Sequence, residues 1–334
     1  MIRLREEEGG FLSIIPSGAP LQADREEALI KANEKDSSDL LIRKAVSTYL
    51  IGYNLIHIQA EDKKQLASEQ RSKIKDFSRR MLVGTEIVRD TAHELSLQVL
   101  LSYPELSIQS ALRRMSIMTA SMHRDAVTAM KTLDHKQAQE VIDTDDEVDR
   151  FNLYVIRQLK TAIQNPRIIK DIGLNTARDC LGFRLVTKSV ERTADHAAAI
   201  AENVMPMKKH VEKEILEKLE SMSNAAVSMF ETAIEALLRN DFVLAEGVLE
   251  KENAVSSIEK QAVLSSKKTE RADTAQIRLI IESIRRTAEY ACDIAEVVLN
   301  LTVQSVLTQR HDSRSTQTGK EQEKITKIMT LEAK

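Results

Sequence analysis

The sequence predicts a mainly α-helical protein, in which two tandem three-helix bundle repeats follow a small α/β segment. The phrase "SVERTADHAAAIAENV" at 189–204 returns as "SIRRTAEYACDIAEVV" at 283–298, with nine of sixteen positions identical. Between 106 and 303 there are only three glycines, as long helices require. Aromatic residues make up 3% of the chain and tryptophan is absent, which favours helices packed through small and aliphatic side chains.

Composition and charge exclude several classes of protein. Apolar residues at 42% and charged residues at 30% are typical of a folded soluble chain, and the net charge of −3 gives no argument for nucleic-acid binding. Cys180 and Cys292 cannot build a disulfide framework. No apolar run approaches the roughly 18–20 residues of a membrane span, and "MIRLREEEGG" lacks the apolar core of a signal peptide. We therefore expect a cytoplasmic protein.

The first hundred residues contain the predicted β-structure. Residues 1–23 are predicted to form a partial β-hairpin, because "IRLREEEGGFLSIIP" places two short runs around Gly9-Gly10. Residues 24–103 are predicted to form a small α/β domain. Its predicted helices are "SSDLLIRKAVSTYLIG" and "KKQLASEQRSKIKDFSRRML", and its strands are "YNLIHIQA", "GTEIVRD" and "HELSLQVLL". His57 and His93 lack the partner spacing of a zinc site and are predicted to be ordinary strand residues.

The two repeats are predicted at 104–208 and 209–305. Residues 121–134 align with 228–241 at an offset of 107, and 141–149 align with 248–256 at the same offset. Each copy indicates a helix, a short turn, a long helix, a loop and a further long helix, with Asp134 and Asp241 as helix N-caps. The first copy has 13 additional residues, expected in "QNPRIIKDIG". Residues 306–334 are predicted to be a mostly disordered tail.

Acidic residues of the repeated phrase share one side of their helix. At about 100° per residue, Glu191, Asp195 and Glu202 fall within a narrow stripe, and Asp145 and Asp149 lie one turn apart on the preceding helix. The residues predicted to face the core lie well away from this stripe: Val186, Val190, Ala197, Ala201 and Val204. The carboxylates are therefore expected on the outer surface of the bundle.

Two such helices side by side would bring four or five carboxylates onto one patch. Like charges at that distance repel, so the patch must be spread out in solvent or neutralised by a cation. Oxygen ligands without cysteine or a well-placed histidine suit magnesium, manganese, calcium or iron better than zinc. The simpler interpretation is a solvated acidic surface, in which Arg192 could pair with the acids.

The second copy repeats this acidic pattern incompletely. Its candidate metal ligands are Glu252, Glu289 and Glu296, at the positions of Asp145, Asp195 and Glu202, together with an additional Asp293. Arg285 replaces Glu191, and Ser256 replaces Asp149. We expect the second site to be weaker or differently built.

The repeated phrase and the "DDEVD" segment at 145–149 resemble motifs of the PhoU family of phosphate-uptake regulators. The family phrase E-R-x-x-D-H-x-x-x-I-A-E is matched at 191–202. The resemblance implies a helical bundle with multinuclear metal clusters on acidic motifs, with iron first and manganese, magnesium and zinc as alternatives. It also implies a cytoplasmic, non-enzymatic, negative regulator of phosphate uptake and phosphate homeostasis. Such a protein acts through a phosphate ABC transporter ATPase or a phosphate-sensing signalling protein, and is often a homodimer.

Three other functions compete with this one. "IRLREEEGGFLSIIP" resembles the last hairpin of a SpoVT/AbrB-type DNA-binding domain, as in archaeal-type PhoU-like proteins, and suggests a DNA-binding transcriptional regulator as an alternative. The basic loop of that domain is missing, so DNA binding is doubtful. A di-iron oxidase would need Glu-x-x-His pairs in a helical core, and the sequence contains none. A helical adaptor with purely solvated acids is the third.

Overall fold

The computed structural model describes residues 2–7 and 11–16 as main chain, and 27–100, 106–165, 168–267 and 273–307 with side chains apart from those of Lys63, Ser266 and Lys267. The predicted turn at Gly9-Gly10, the predicted boundary at Pro104 and the predicted tail from 308 onward lie outside these residues. Within the described ranges, no helix combines the length and the apolar character that a membrane span requires.

The β-structure forms two separate sheets. Strands β1 (Ile2–Glu7) and β2 (Phe11–Pro16) pair as the predicted antiparallel hairpin. The second sheet has the order β3-β4-β6-β5, in which β3 and β4 are parallel and the other neighbours are antiparallel. Its strands are β3 (Glu27–Ala32), β4 (Leu55–Ala60), β5 (Thr85–Asp90) and β6 (Glu94–Val99). Helix α1 (Ser38–Ile51) connects β3 to β4, and helix α2 (Ser68–Met81) connects β4 to β5.

Strand β3 is the one strand of this region that the sequence did not predict. Its sequence, "EALIKA", consists mainly of residues that favour helices, so local propensity gives no signal for a strand. Pairing with β4 and burial of Ile30 and Ala32 under the helices decide its conformation instead.

Helices α1 and α2 cover one face of the second sheet. Alternate strand residues point to that face and are fully buried against the helices. The largest of them are Ile56, Ile58, Leu95 and Leu97, which pack with Leu41, Tyr49 and Ile74. His57 lies on the opposite face, where its Nδ1 is 2.9 Å from a carboxylate oxygen of Glu94.

The remaining helices form the two repeats. The first contains α3 (Ile108–Thr132), α4 (His135–Gln164), the short α5 (Ile168–Asp171) and α6 (Asp179–Val204). The second contains α7 (Lys213–Arg239), α8 (Phe242–Leu249), α9 (Glu252–Lys267) and α10 (Thr274–Thr302). Helix α5 lies where the additional residues of the first copy were expected. These helices share one hydrophobic core, in which the five predicted core residues of α6 are all fully buried.

The turn between the first two helices is the same in both repeats. Leu133 (φ 56°) and Asn240 (φ 53°) adopt the left-handed conformation at equivalent positions. Asp134 then accepts hydrogen bonds from the backbone N–H groups of residues 136 and 137, and Asp241 accepts one from Leu244. Both predicted N-caps are confirmed.

The long second helix differs between the repeats. Helix α4 runs unbroken for 30 residues, whereas the chain of the second copy is interrupted between α8 and α9. Glu250 and Lys251 occupy this break, at the positions of Asp143 and Thr144. Glu252 therefore begins a new helix, while its counterpart Asp145 lies inside a continuous one.

Helices α6 and α10 are antiparallel neighbours at the centre of the bundle. Nδ1 of His196 lies 3.3 Å from the Ser283 hydroxyl, and the His196 and Tyr290 rings are 5.8 Å apart. Nearer the start of α6, a methyl group added at Gly182 would come within 3.0 Å of the Leu301 side chain. The acid-bearing helices of the two repeats are thus packed against each other.

Arg157 of α4 joins the α/β domain to the bundle. Its guanidinium is buried and donates hydrogen bonds to the carbonyls of Tyr49, Gly52 (2.9 Å) and Tyr53 (3.0 Å), and to Oδ1 of Asn54 (2.8 Å). It also lies 4.8 Å from the centre of the Tyr49 ring. One side chain therefore gives a donor to the Gly52 and Tyr53 carbonyls at the end of α1, and adds a second donor at the Tyr49 carbonyl, which also accepts from the Gly52 N–H.

Two further contacts place the α/β domain against the same helix. Leu153 of α4 packs against the α/β core, and Arg80 of α2 lies 3.4 Å from the Asp146 carboxylate. Asp146 is adjacent in sequence to Asp145 and close to Asp149. The α/β domain is thus attached to the helix that carries half of the first acidic cluster.

Candidate metal centre

Two neighbouring helices bring the acids of the first repeat together. Helix α4 contributes Asp145 and Asp149, one turn apart, and α6 contributes Glu191 and Asp195 with the same spacing. One carboxylate oxygen each of Asp149, Glu191 and Asp195 lies within 4.8 Å of the others. In the part of the chain that the structure describes, no other three metal-ligating side chains converge in this way.

The expectation of a purely outer position is wrong for Glu191. This residue is only 8% exposed, and Asp145 and Asp149 are partly buried, whereas Asp195 is exposed. The helical wheel separates the stripe from the core but ignores the helix beside it. Because α4 packs along α6, the stripe lies in the groove between the two helices.

Burial and mutual repulsion raise the pKa values of these carboxyl groups. The pKa of Asp145 rises to about 7, first through burial and then through the charges of Asp195 and Asp149. The pKa of Asp149 rises to about 6 through burial and through Glu191 and Asp195. The pKa of Asp195 is also raised, because its carboxyl group is partly desolvated by the neighbouring helix although the residue as a whole is exposed, and because Glu191 lies beside it. The cluster therefore contains more negative charge than its surroundings compensate.

The nearby cations compensate only part of this charge. Lys188, three residues before Glu191, forms an ion pair with it. Arg192 lowers the pKa of Asp195, but its guanidinium lies 5.9 Å over the Tyr290 ring of the second repeat. Four carboxylates thus face one directly paired lysine, and an additional cation would be stabilised there.

The donor set fits a hard cation. The three converging groups are carboxylates, which suit magnesium, manganese or iron better than zinc. Ligand carboxylates must be ionised, so binding would displace protons from Asp145 and Asp149 and should strengthen with pH. Glu202 is exposed and lies seven residues, or about 10.5 Å, beyond Asp195 along the helix axis, so it is outside the group.

In the second repeat, the acids are paired with arginine. The Arg285 guanidinium forms ion pairs with Glu282 and Glu289, and its Nε lies 3.6 Å from Glu259. Arg286 reaches Glu289 at 2.9 Å and Glu282 at 3.3 Å. Glu289, a predicted ligand, is therefore held by two guanidinium groups.

The other predicted ligands of the second repeat do not converge within the described residues. Glu252, Asp293 and Glu296 are exposed, and Glu252 stands at the start of α9 after the helix break. Cys292 is buried beside them, and burial, followed by the charge of Glu252, raises the pKa of its thiol to about 12. The thiol therefore remains protonated and is a poor metal ligand.

Comparison with known proteins agrees with the repeat and with the motif. The family described as PhoU domain matches residues 112–204 and 219–298, which together make up more than half of the chain. The chain belongs to the PhoU family. A relative from Clostridium acetobutylicum, the phosphate-specific transport system accessory protein PhoU homolog, is 22% identical over 204 residues, covering 58% of this chain and 90% of the relative.

Two crystal structures of PhoU proteins share the fold. PhoU from Pseudomonas aeruginosa superimposes with a TM-score of 0.53 at 21% identity, covering 59% of this chain and 96% of that protein. The phosphate transport system regulatory protein PhoU from Streptococcus pneumoniae gives 0.51 at 19% identity, covering 60% and 96%. The predicted fold class and the predicted family are confirmed. The hairpin lies outside the matched PhoU regions, so its AbrB-like resemblance stays a prediction.

The two PhoU repeats reveal site residues that sequence analysis missed. Lys188 and Glu282 occupy equivalent positions at the offset of 94, and each lies three residues before the residue it pairs with. The spacing of three residues was the available signal, because such residues are neighbours on a helix. Glu259 had no comparable signal, since its contact with Arg285 depends on how α9 packs against α10.

Proposed function

We propose that this PhoU-family chain is a metal-binding accessory protein that regulates phosphate uptake and phosphate homeostasis. The observation that carries the proposal is the convergence of Asp149, Glu191 and Asp195 within 4.8 Å inside the matched domain. The role in phosphate transport is drawn from the relatives, which are named as accessory and regulatory proteins of phosphate transport systems.

In this proposal, the metal binds between α4 and α6. Asp149, Glu191 and Asp195 supply the ligands, and Asp145 lies beside them as a further carboxylate. The resemblance to the PhoU family makes iron the first choice, with manganese and magnesium as alternatives, and zinc fits the all-oxygen donor set least well. Lys188 would have to release Glu191 in part, so metal and ammonium compete for one carboxylate.

The proposed action is contact with another protein rather than catalysis. The chain would restrain uptake from the cytoplasm, as a homodimer, by binding the ATPase of a phosphate ABC transporter or a phosphate-sensing signalling protein. Two features support a non-enzymatic role: the sequence lacks a glycine-rich phosphate loop and a Cys-x-x-Cys pair.

Elemental analysis of protein purified without chelator tests the metal site. The native chain should retain metal, and Asp149→Asn with Asp195→Asn should lose most of it. Asp143→Asn is the matched control, because Asp143 is exposed on the same helix and outside the cluster. Equal, near-zero metal in all three proteins would contradict metal binding and favour a helical adaptor.

Binding assays separate the regulatory role from the DNA-binding alternative. Retention of a phosphate-transporter ATPase on the immobilised chain would support the proposal. A mobility shift with promoter DNA, weakening steeply between two salt concentrations, would support the alternative instead. Failure to bind the ATPase and the signalling protein would contradict the proposed partners.

A further inference from the structure

The two repeats contain the same ion pair with opposite signs. In α6, Lys188 pairs with Glu191 three residues later, and in α10, Glu282 pairs with Arg285 at the same spacing. Arg285 therefore places a cation at the position where the first repeat has Glu191, a candidate metal ligand. On the adjacent helix, Ser256 stands where the first repeat has Asp149. Relative to the first repeat, the second therefore lacks these two carboxylates and has a guanidinium in place of one of them.

Arg285 connects two helices as a metal ion would. Its side chain is 26% exposed and lies among carboxylates of both helices, Glu259 on α9 and Glu282 and Glu289 on α10. Its Nε also donates a 3.1 Å hydrogen bond to Glu282. A guanidinium offers five donors in a fixed plane and can hold several carboxylates at once.

Two positions around Arg285 differ from their counterparts in the first repeat, and both differences favour the ion pairs of Arg285. Glu259 aligns with Asn152 of the first repeat, and Glu282 aligns with Lys188. Both substitutions add a negative charge beside Arg285, which compensates for its positive charge.

The carboxyl pKa values of the two clusters are shifted in opposite directions. Hydrogen bonds from Arg285 lower the pKa of Glu282, and the same contact raises the pKa of Arg285, so their ionised forms stabilise each other. In the first repeat, the pKa values of Asp145 and Asp149 rise instead. The first cluster has one lysine, paired with Glu191, beside four carboxylates, whereas two guanidinium groups pair with the glutamates of the second cluster.

We infer that Arg285 occupies the place of the metal ion in the second repeat, so that the chain binds metal through its first repeat alone. The statement about the first repeat rests on the proposed function, and the statement about Arg285 does not. It replaces the expectation that Glu252, Glu289, Asp293 and Glu296 hold a second metal. One half of the bundle is then metal-dependent, and the other is stabilised permanently by the protein itself.

Binding of Mn²⁺ to the chelator-stripped full chain tests metal stoichiometry by equilibrium dialysis. The native protein should bind Mn²⁺, and Asp149→Asn with Asp195→Asn should abolish binding. Arg285→Glu with Ser256→Asp restores the ligands of the first repeat and should raise bound Mn²⁺ above the native amount. The inference would be overturned if the Asp149→Asn and Asp195→Asn variant still bound Mn²⁺ and lost it when Glu289→Gln and Asp293→Asn were added. It would also be overturned if the Arg285→Glu and Ser256→Asp variant folded but bound no additional Mn²⁺.

Thermal unfolding in excess chelator tests Arg285 independently of any metal. Arg285→Met should lower Tm by about 2–4 °C, and by the same amount with Mn²⁺ present, because the network it breaks contains no metal. Arg278→Met, exposed on the same helix, is the control and should leave Tm unchanged. An unchanged Tm for Arg285→Met would refute the structural role of Arg285.

The two measurements also separate this inference from the proposed function. If the native protein binds no Mn²⁺ but Arg285→Met lowers Tm in chelator, the metal site of the first repeat fails and the role of Arg285 stands. If Mn²⁺ binds through Asp149 and Asp195 but Arg285→Met unfolds at the native Tm, the metal site of the first repeat stands and the structural role of Arg285 fails.

Discussion

Raising the pH should destabilise the metal-free protein through the first acidic cluster. In the folded chain, the pKa of Asp145 is about 7 and that of Asp149 about 6, against an ordinary value of 3.8. Between these values, the folded form keeps protons that the unfolded form has lost. The stabilisation is complete below about pH 4 and is lost as pH rises through 6 and 7.

The size of this effect follows from the two pKa values. A tenfold change in proton affinity corresponds to about 1.4 kcal/mol, so the two groups together give an upper bound of about 7 kcal/mol. Both carboxyl groups are partly exposed, and they share the same repulsion, so solvent screening reduces this figure by more than half. Only the part of each rise that lies above pH 5 counts between pH 5 and pH 8, which bounds the loss at about 4 kcal/mol, so after screening we expect a loss of about 1–2 kcal/mol.

Urea unfolding of the chelated protein at pH 5 and pH 8 measures this loss. The double variant Asp145→Asn and Asp149→Asn is the reference, because it cannot titrate at these positions and cancels the contribution of every other group. The free energy of unfolding of the native chain should fall relative to this reference as pH rises. Native and variant proteins with the same pH dependence would refute the electrostatic argument, whatever their absolute stabilities.

Three further substitutions have defined outcomes in the same unfolding assay. Arg157→Met should cost about 3 kcal/mol, because it leaves buried carbonyls of the α/β domain without donors; a loss below 1 kcal/mol would show that water replaces the guanidinium. Asp134→Ala and Asp241→Ala should each cost about 1 kcal/mol by removing an N-cap, and unequal losses would show that the two turns are not equivalent. Gly247→Ala should stabilise α8 by roughly 0.5–1 kcal/mol, since beyond the adjacent residues and the backbone of its own helix nothing lies within 4 Å of the added methyl group, and destabilisation would contradict the space seen there.

Local patterns in the sequence were sufficient to predict the repeats, their turns and the core-facing residues of α6. Asp134 and Asp241 follow left-handed residues at the same offset, and such signals depend only on neighbours in the chain. Strand β3 could not be found in this way, because its pairing partner β4 lies more than twenty residues away. Local sequence gives the intrinsic conformational preference of a segment, and for β3 pairing with a distant strand overrides that preference.

The residues of the candidate site could be predicted from the sequence, but their burial could not. Asp149, Glu191 and Asp195 were identified from helical spacing, and the structure brings them together. The burial of Asp149 and Glu191 depends on how closely α4 lies beside α6, and a single helical wheel does not contain that information. Glu202 lies on the same side of α6 as Glu191 and Asp195, but two turns further along the helix axis. The angular position alone therefore placed Glu202 in the site, although it lies outside the group.

Helix α4 belongs to two hydrophobic cores, one in the bundle and one in the α/β domain. Leu153 and Arg157 serve the second core, while Val148 and Tyr154 are buried in the first. The α/β domain therefore cannot be transplanted onto another bundle by joining the chain at the loop between them. The exchangeable unit must include the second half of α4.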